Sequence, residues 1–189
     1  MPSIGLFGGS FDPVHIGHMI TSSAVRNEFC LDKVIFIPNF ASPFKVSTTS
    51  TPAADRIKML KFSIEDNPFF ELSEFETEKK RPVYTYETIE HFRNLYPDDD
   101  LFLIMGEDSY SSIEKWKNSD MVRNSINIIV LKRGSENLRP DKNIYFSKNS
   151  PEIEVSSSMI RDMVSKNLDI KYLVNDAVRC YINEKCLYR

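Results

Sequence analysis

The chain has 189 residues, of which 41% are hydrophobic, enough to fill one full core. Its 24 basic and 27 acidic residues nearly cancel, to a net charge of −3. That balance argues against a surface that coats nucleic acid, yet leaves room for one small polyanion in a local basic pocket. No apolar run approaches the ~18 residues of a membrane-spanning helix. The N-terminus enters a strand directly, with no basic segment ahead of an apolar one, which argues against a signal peptide. The cysteines Cys30, Cys180 and Cys186 are odd in number and fall in no motif, which fits a reduced cytoplasmic protein. Cys180 and Cys186 are expected to pack in or near a terminal helix, neither as a nucleophile.

The first stretch, Ile4-Gly-Leu-Phe-Gly-Gly-Ser-Phe-Asp-Pro-Val-His-Ile-Gly-His18, reads as a buried strand over 4–7, a glycine turn, and the approach to a helix over 19–28. Gly8 and Gly9 leave no Cβ in the way of a ligand. Free N–H groups at the helix start attract anions. His15 and His18 are three apart, so within one helical turn they share a face. Two imidazoles there can donate to phosphate oxygens or act as acid and base. A metal pair is the weaker alternative, because no convincing third ligand lies nearby: Cys30 is distant in sequence, and Asp12 could serve only in principle.

Residues 33–37 form a second apolar strand ending at Pro38, which completes a right-handed βαβ unit. Pro38 and Asn39 then share a sheet edge with the glycine turn, where ligands of such sheets bind. Residues 40–52 read as a long Ser, Thr and Pro loop with Lys45 as its only charge, either solvated or facing a phosphate. A helix over 53–64 buries Ile57, Leu60 and Ile64. A short strand follows over 69–73, then a solvated connection over 74–81. Thr85, with Thr88 three positions on, is read as the cap of a helix that buries Tyr86, Ile89, Phe92 and Tyr96. His91 is placed at the surface or an interface.

Residues 101–105 read as the central strand, leaving into Gly106-Glu-Asp108. An acid there suits a ribose hydroxyl, a bound Mg²⁺ or a helix cap. Trp116 either fills core or stacks on an aromatic ring. Strands are expected over 126–131, 143–146 and 152–155. The last runs into Ser156-Ser-Ser-Met-Ile-Arg161, where serine hydroxyls, a helix start and an arginine one turn in suit a phosphate. The end, 175–188, reads as a capped amphipathic helix with Val178, Tyr181 and Ile182 inward.

With these motifs in place the chain resembles the nucleotidyltransferases of the HxGH superfamily, through Gly8-Gly-Ser-Phe-Asp-Pro-Val-His-Ile-Gly-His18. More narrowly it is similar to the bacterial nicotinate-nucleotide adenylyltransferases. That likeness rests on Pro38-Asn39, Pro43 and Lys45, on Arg81-Pro-Val-Tyr-Thr85 with Glu87-Thr88, on Gly106-Glu-Asp108 with Trp116, and on Val155-Ser-Ser-Ser-Met-Ile-Arg161. Two departures stand out: Ser42-Pro-Phe-Lys45 where the family usually has Pro-Pro-His-Lys, and Glu87 where it commonly has Asp.

The resemblance implies an α/β, Rossmann-like nucleotidyltransferase fold: one domain over 1–189, a mostly parallel five- or six-stranded sheet with helices on both faces, and 156–189 as a small C-terminal helical extension. It implies adenylyl transfer from ATP to nicotinate mononucleotide, giving nicotinate adenine dinucleotide and pyrophosphate in NAD synthesis. His15, His18, Lys45 and Arg161 would be catalytic. Gly8, Gly9, Ser10, Phe11, Gly106, Asp108, Ser156 and Ser157 would join His15, His18 and Arg161 around ATP. Asn39, Lys45, Thr85, Trp116 and Lys117 would receive the mononucleotide. Mg²⁺ would be bridged by the ATP phosphates, with no ligand from the protein. No nucleic acid or membrane partner is expected, and the protein would be a monomer or small homo-oligomer in the cytoplasm. Rival readings are a nicotinamide-mononucleotide or phosphopantetheine adenylyltransferase, the latter usually with Thr at the His15 position. A cytidylyltransferase for glycerol phosphate would lack the 81–88 and Trp116 features. A binding protein without turnover is the rival of another class. A plain dinucleotide-binding dehydrogenase is disfavoured, because the glycines do not follow G-x-G-x-x-G.

Overall fold

Two apolar strands joined by one helix start the fold. Strand β1 (Ser3–Gly9) runs into α1 (Ile16–Glu28) and returns as β2 (Lys33–Pro38), parallel to β1, with Ile4 opposite Lys33 and Gly9 opposite Pro38. The computed structural model describes residues 1–41, 51–131 and 142–189. Beyond β2 come α2 (Ala53–Ile64), β3 (Phe70–Leu72), α3 (Phe75–Glu78), α4 (Thr85–Leu95) and β4 (Asp100–Gly106). Then follow α5 (Glu107–Ser111), a 3-10 turn (Ile113–Lys115), α6 (Ser119–Ser125), β5 (Asn127–Leu131), β6 (Ile144–Ser147), α7 (Ser157–Ser165) and α8 (Asp176–Glu184).

The sheet has the order β3-β2-β1-β4-β5-β6, and every neighbouring pair is parallel. The strand order therefore turns back between β1 and β4, and this opens a crevice at their C-terminal ends. Both faces are buried, as parallel strands require. Ile4, Leu6, Ile35 and Ile37 join Ile89 and Phe92 of α4 on one face, while Phe7, Val34 and Phe36 join Met59, Leu60, Ile160 and Val178 on the other. The strands alternate because neighbouring side chains point to opposite faces.

Several local expectations are corrected. Residues 152–155 form no strand, and the last sheet strand is β6. Helix α1 begins at Ile16, three residues early, because His15 and His18 do the capping that Ser, Thr, Asp or Asn usually does. Tyr84, not Thr85, caps α4, and Glu87 supplies the acid of the capping box: its Oε1 accepts from the Tyr84 N–H at 3.1 Å. On α2 the buried row is Arg56, Met59, Leu60, Ser63 and Ile64, and Ile57 is only partly buried. Helix α8 ends at Glu184 rather than near 188, since Cys186 and Tyr188 take left-handed backbone angles that turn the chain back. Cys30, Cys180 and Cys186 are all exposed.

The largest correction falls on 74–81. It contains α3, whose Glu76 and Thr77 are buried, Glu76 against α4. Thr88 Oγ1 donates to Glu76 Oε1 at 2.7 Å. Burial pushes the Glu76 carboxyl up to about 7, the Glu87 charge adds to the rise, and the Thr88 bond opposes it. The folded chain therefore holds a proton that the unfolded chain has released between the ordinary glutamate range and pH about 7. The stabilisation it brings is complete below that range and is lost as pH rises through about 7. Glu76→Gln should free the protein of this loss. Urea unfolding at pH 8 should find the variant more stable than the parent, by up to about 3 kcal/mol. Near pH 4 the two should match, and a gap equal at both pH values would contradict the assignment.

Candidate active site

The turn after β1 is tied down from three parts of the chain. Phe11 takes φ 48°, and its ring is buried, meeting the edges of the Phe7, Phe36 and His18 rings. Any ligand contact from Phe11 is thus through its backbone. Arg161 Nη1 donates to the Asp12 carbonyl at 2.7 Å, and Ser157 Oγ donates to the Pro13 carbonyl at 2.9 Å. The Tyr188 hydroxyl donates to Asp12 Oδ1 at 2.7 Å, from the far end of the chain. Burial and the Asp12 charge push the Tyr188 phenol well above its ordinary range, so it stays a donor.

His15 sits at the N-cap of α1 in extended backbone, and His18 lies one turn in. The His15 backbone N–H donates to His18 Nδ1 at 3.2 Å. A backbone N–H can only donate, so Nδ1 accepts and the neutral ring carries its proton on Nε2, the atom at the other edge. The two rings lie 3.7 Å apart between centroids. The rings are tilted by 36°, and Gly17 leaves room for this close approach: a Cβ there would stand 3.0 Å from His15 Nδ1.

A cavity of about 340 Å³ opens at the sheet's switch point and brings together His15, His18, Gly106, Asp108, Ser156 and Ser157. A Cβ at Gly8 or at Gly106 would meet nothing within 4 Å, so both strand ends face open space. Asp108 stands in the first turn of α5, with Gly106 rather than Asp108 as the cap. Across the cavity, Ser156 Oγ accepts from the Met159 N–H at 3.2 Å and caps α7. Ser157 and Arg161 therefore dock α7 onto the 12–13 turn, and Arg161 Nη2 also reaches Ser158 Oγ at 3.2 Å. A larger cavity of about 550 Å³ lies beyond α1 and shares only His15 with the site residues expected from sequence.

The residues expected around the acceptor gather elsewhere on the same edge. Asn39 follows β2 directly, with its N–H on the Gly9 carbonyl at 3.0 Å and Nδ2 reaching Ser10 Oγ at 3.4 Å. Its buried Oδ1 has no partner among the described residues. Thr85 opens α4, and Lys117 lays its ammonium 4.5 Å from the centre of the Tyr84 ring, so the Trp116–Lys117 segment meets the start of α4. Arg81 grips Glu87 with two bonds, of 3.2 and 2.6 Å, and holds that carboxyl below its ordinary range. Trp116 is partly buried and packs on the α4-side core. Lys45 lies outside the described residues. His91 stacks on Phe75 at 3.9 Å, away from the cavity lining. Among the described residues no group of three His, Cys, Asp or Glu side chains is arranged to hold a metal ion.

Sequence reading missed Arg56 and Tyr188. Arg56 is fully buried, and burial lowers its pKa while Asp12 opposes the shift. Its signal was present: it opens the 56, 59, 60, 63, 64 row that α2 buries. Tyr188 carried no such periodicity.

A parallel sheet with a His-x-x-His helix start at its switch point defines a nucleotidyltransferase of the cytidylyltransferase-like class, and the family model for that class matches residues 6–163. Over its full length the chain is 37% identical to a nicotinate-nucleotide adenylyltransferase of Bacillus subtilis, covering 99% of that protein. It is 38% identical to a probable nicotinate-nucleotide adenylyltransferase of Caldicellulosiruptor bescii, with 98% of each chain covered. The chain belongs to the nicotinate-nucleotide adenylyltransferase family. In fold it matches the Plasmodium falciparum nicotinic acid mononucleotide adenylyltransferase complexed with NaAD, with a TM-score of 0.81, 21% identity, and 100% of this chain and 98% of that one covered.

Gly17→Ala tests the histidine geometry. The added methyl should displace the His15 ring, lowering kcat at least about tenfold while Tm stays within a few degrees. Unchanged turnover would mean that the close approach of the two rings is incidental.

Proposed function

We propose that the protein transfers the adenylyl group of ATP to nicotinate mononucleotide, forming nicotinate adenine dinucleotide and pyrophosphate, as a monomer or small homo-oligomer in the cytoplasm. The observation that carries this is the His15–His18 pair at the switch point, with open glycine strand ends on one side and the start of α7 on the other. Such a pocket suits a polyphosphate: donors at a helix start, two imidazoles and little bulk. The names of the relatives supply the acceptor class.

In this reading a phosphate oxygen of the mononucleotide attacks the α-phosphorus of ATP in line. The new P–O bond forms as the α–β anhydride bond breaks, and the electron pair leaves with pyrophosphate. The nucleophile is already an anion, so no strong base and no covalent intermediate are required. Catalysis is positioning and charge stabilisation. The His18 Nε2–H donates to an oxygen of the reacting phosphate, and His15 backs it. Ser156, Ser157 and Arg161 hold the far phosphates, Lys45 contributes its charge to them, and Gly8 to Phe11 offer backbone groups. Gly106 and Asp108 hold a ribose. Among the described residues Asp108 is the one carboxylate in the cavity lining, which fits Mg²⁺ that would be held by the nucleotide's own oxygens. Trp116 stacks on the electron-poor pyridine ring, while Thr85 and the Lys117 backbone take its carboxylate. Asn39 Oδ1, without a partner among the described residues, accepts a hydroxyl of the mononucleotide.

The direct test offers the protein ATP and Mg²⁺ with nicotinate mononucleotide, nicotinamide mononucleotide or phosphopantetheine, and follows dinucleotide and pyrophosphate by chromatography. Strong preference for the nicotinate form is expected. Equal use of both mononucleotides would remove the acid-recognition role of Thr85 and Lys117, and phosphopantetheine as the preferred acceptor would replace the reading. His18→Ala should lower kcat at least about a hundredfold with the fold intact; near-normal turnover would remove His18 from the chemistry. Trp116→Ala should raise KM for the mononucleotide far more than KM for ATP, whereas equal changes would reduce Trp116 to a packing role.

A further inference from the structure

Arg56, in the first turn of α2, has no exposed surface and, among the described residues, four hydrogen bonds, each to a backbone carbonyl. Nη1 donates to Ser10 at 2.6 Å. Nη2 donates to Asn39 at 2.7 Å and to Phe40 at 3.3 Å. Nε donates to Thr51 at 3.3 Å. These carbonyls belong to three segments far apart in sequence: the turn after β1, the exit from β2, and the approach to α2. The nearby Asp12 carboxylate acts on the guanidinium through space and accepts a bond from Tyr188.

A buried cation is costly, and an apolar side chain of similar volume would fill the space at least as well. What the guanidinium adds is a rigid planar fork, able to hold two carbonyls at a set spacing. Here the fork spans Ser10 and Asn39, across the gap also bridged by the Asn39 N–H to the Gly9 carbonyl. Ser10 and Asn39 lie on the phosphate-facing turn and at the β2 end respectively. Both stand beside the cavity at the β1–β4 switch point rather than in its described lining, at the edge where the adenylyl-transfer reading sets ATP on the first and the acceptor by the second. The third arm of Arg56, to Thr51, fixes where the chain returns after residues 42–50, the segment that carries Lys45.

We propose that Arg56 is a positioning residue: from behind the crevice, without touching either substrate, it sets the spacing between the turn after β1 and the end of β2, and so the placement of ATP against the acceptor. The kinetic part of this rests on the adenylyl-transfer reading; the effect on ATP binding does not.

The experiment uses R56K and R56M alongside the parent, with Tm, the Kd for ATP with Mg²⁺ by calorimetry, and kcat and KM at a temperature well below each Tm. Lysine keeps the charge but loses the fork. R56K should fold, bind ATP at least about fivefold more weakly and turn over at least about tenfold more slowly per folded molecule. R56M should fall further on both counts. Lower Tm with parental ATP affinity and parental kcat per folded molecule in R56K would leave Arg56 a stabilising residue only and overturn the proposal. If R56M does not fold, R56K decides. If the parent makes no nicotinate dinucleotide, the functional reading fails, while the ATP affinity of R56K still decides the role of Arg56.

Discussion

Parallel pairing of β1 with β2 on one side and β4 on the other is the constraint from which the site follows. Parallel strands put all their C-terminal ends at one edge of the sheet. Reversal of the strand order there leaves a gap that no crossover helix covers. Gly8 and Gly106 stand at the two lips of that gap, and α1 begins beside it with His15 and His18 in its first turn. Shifting β1 by one residue would turn Phe7 away from the core it shares with Phe36 of β2 and bury the wrong set of β1 side chains. The core therefore holds the crevice in register.

A turn that presents backbone groups to a polyphosphate must resist the charge it binds, and here it is braced without exposed ion pairs. Arg161 and Ser157 reach it from α7, Tyr188 from the chain end, and Arg56 from α2, mostly through backbone carbonyls. Neutral acceptors suit buried cations in such a place, because they orient the backbone and leave the pocket's positive potential uncancelled. The histidine pair follows the same economy. One bond caps the helix and also fixes which nitrogen of His18 can donate.

Much of this was legible in the sequence. The strands over 4–7, 33–37, 101–105 and 126–131 are apolar runs between breakers, and they stand where they were read. The crevice was legible in part: His15, His18, Gly106 and Asp108 lie just past the ends of strands that parallel topology brings together, while Ser156 and Ser157 join them from the start of α7, which follows no sheet strand directly. The misreadings have physical causes. Glu76 looked solvated because charge predicts exposure, and only the packing of α3 on α4 removes it from water. Helix α1 started early because histidine is an uncommon cap. Residues 152–155 had the composition of a strand but find no sheet partner.

Local chemistry is what the sequence by itself determined: the period of each element, the glycines that end strands, and the residue types able to meet a phosphate. Those properties depend on neighbours within a turn or two of chain. Tertiary structure alone decided which carbonyls Arg56 holds, that Tyr188 closes on Asp12, and that Asn39 keeps a buried oxygen without a described partner. Each of these joins residues whose separation along the chain carries no periodic signal. Long-range contacts of this kind depend on how the whole core settles, because a buried polar group takes whatever partner the packed backbone presents to it.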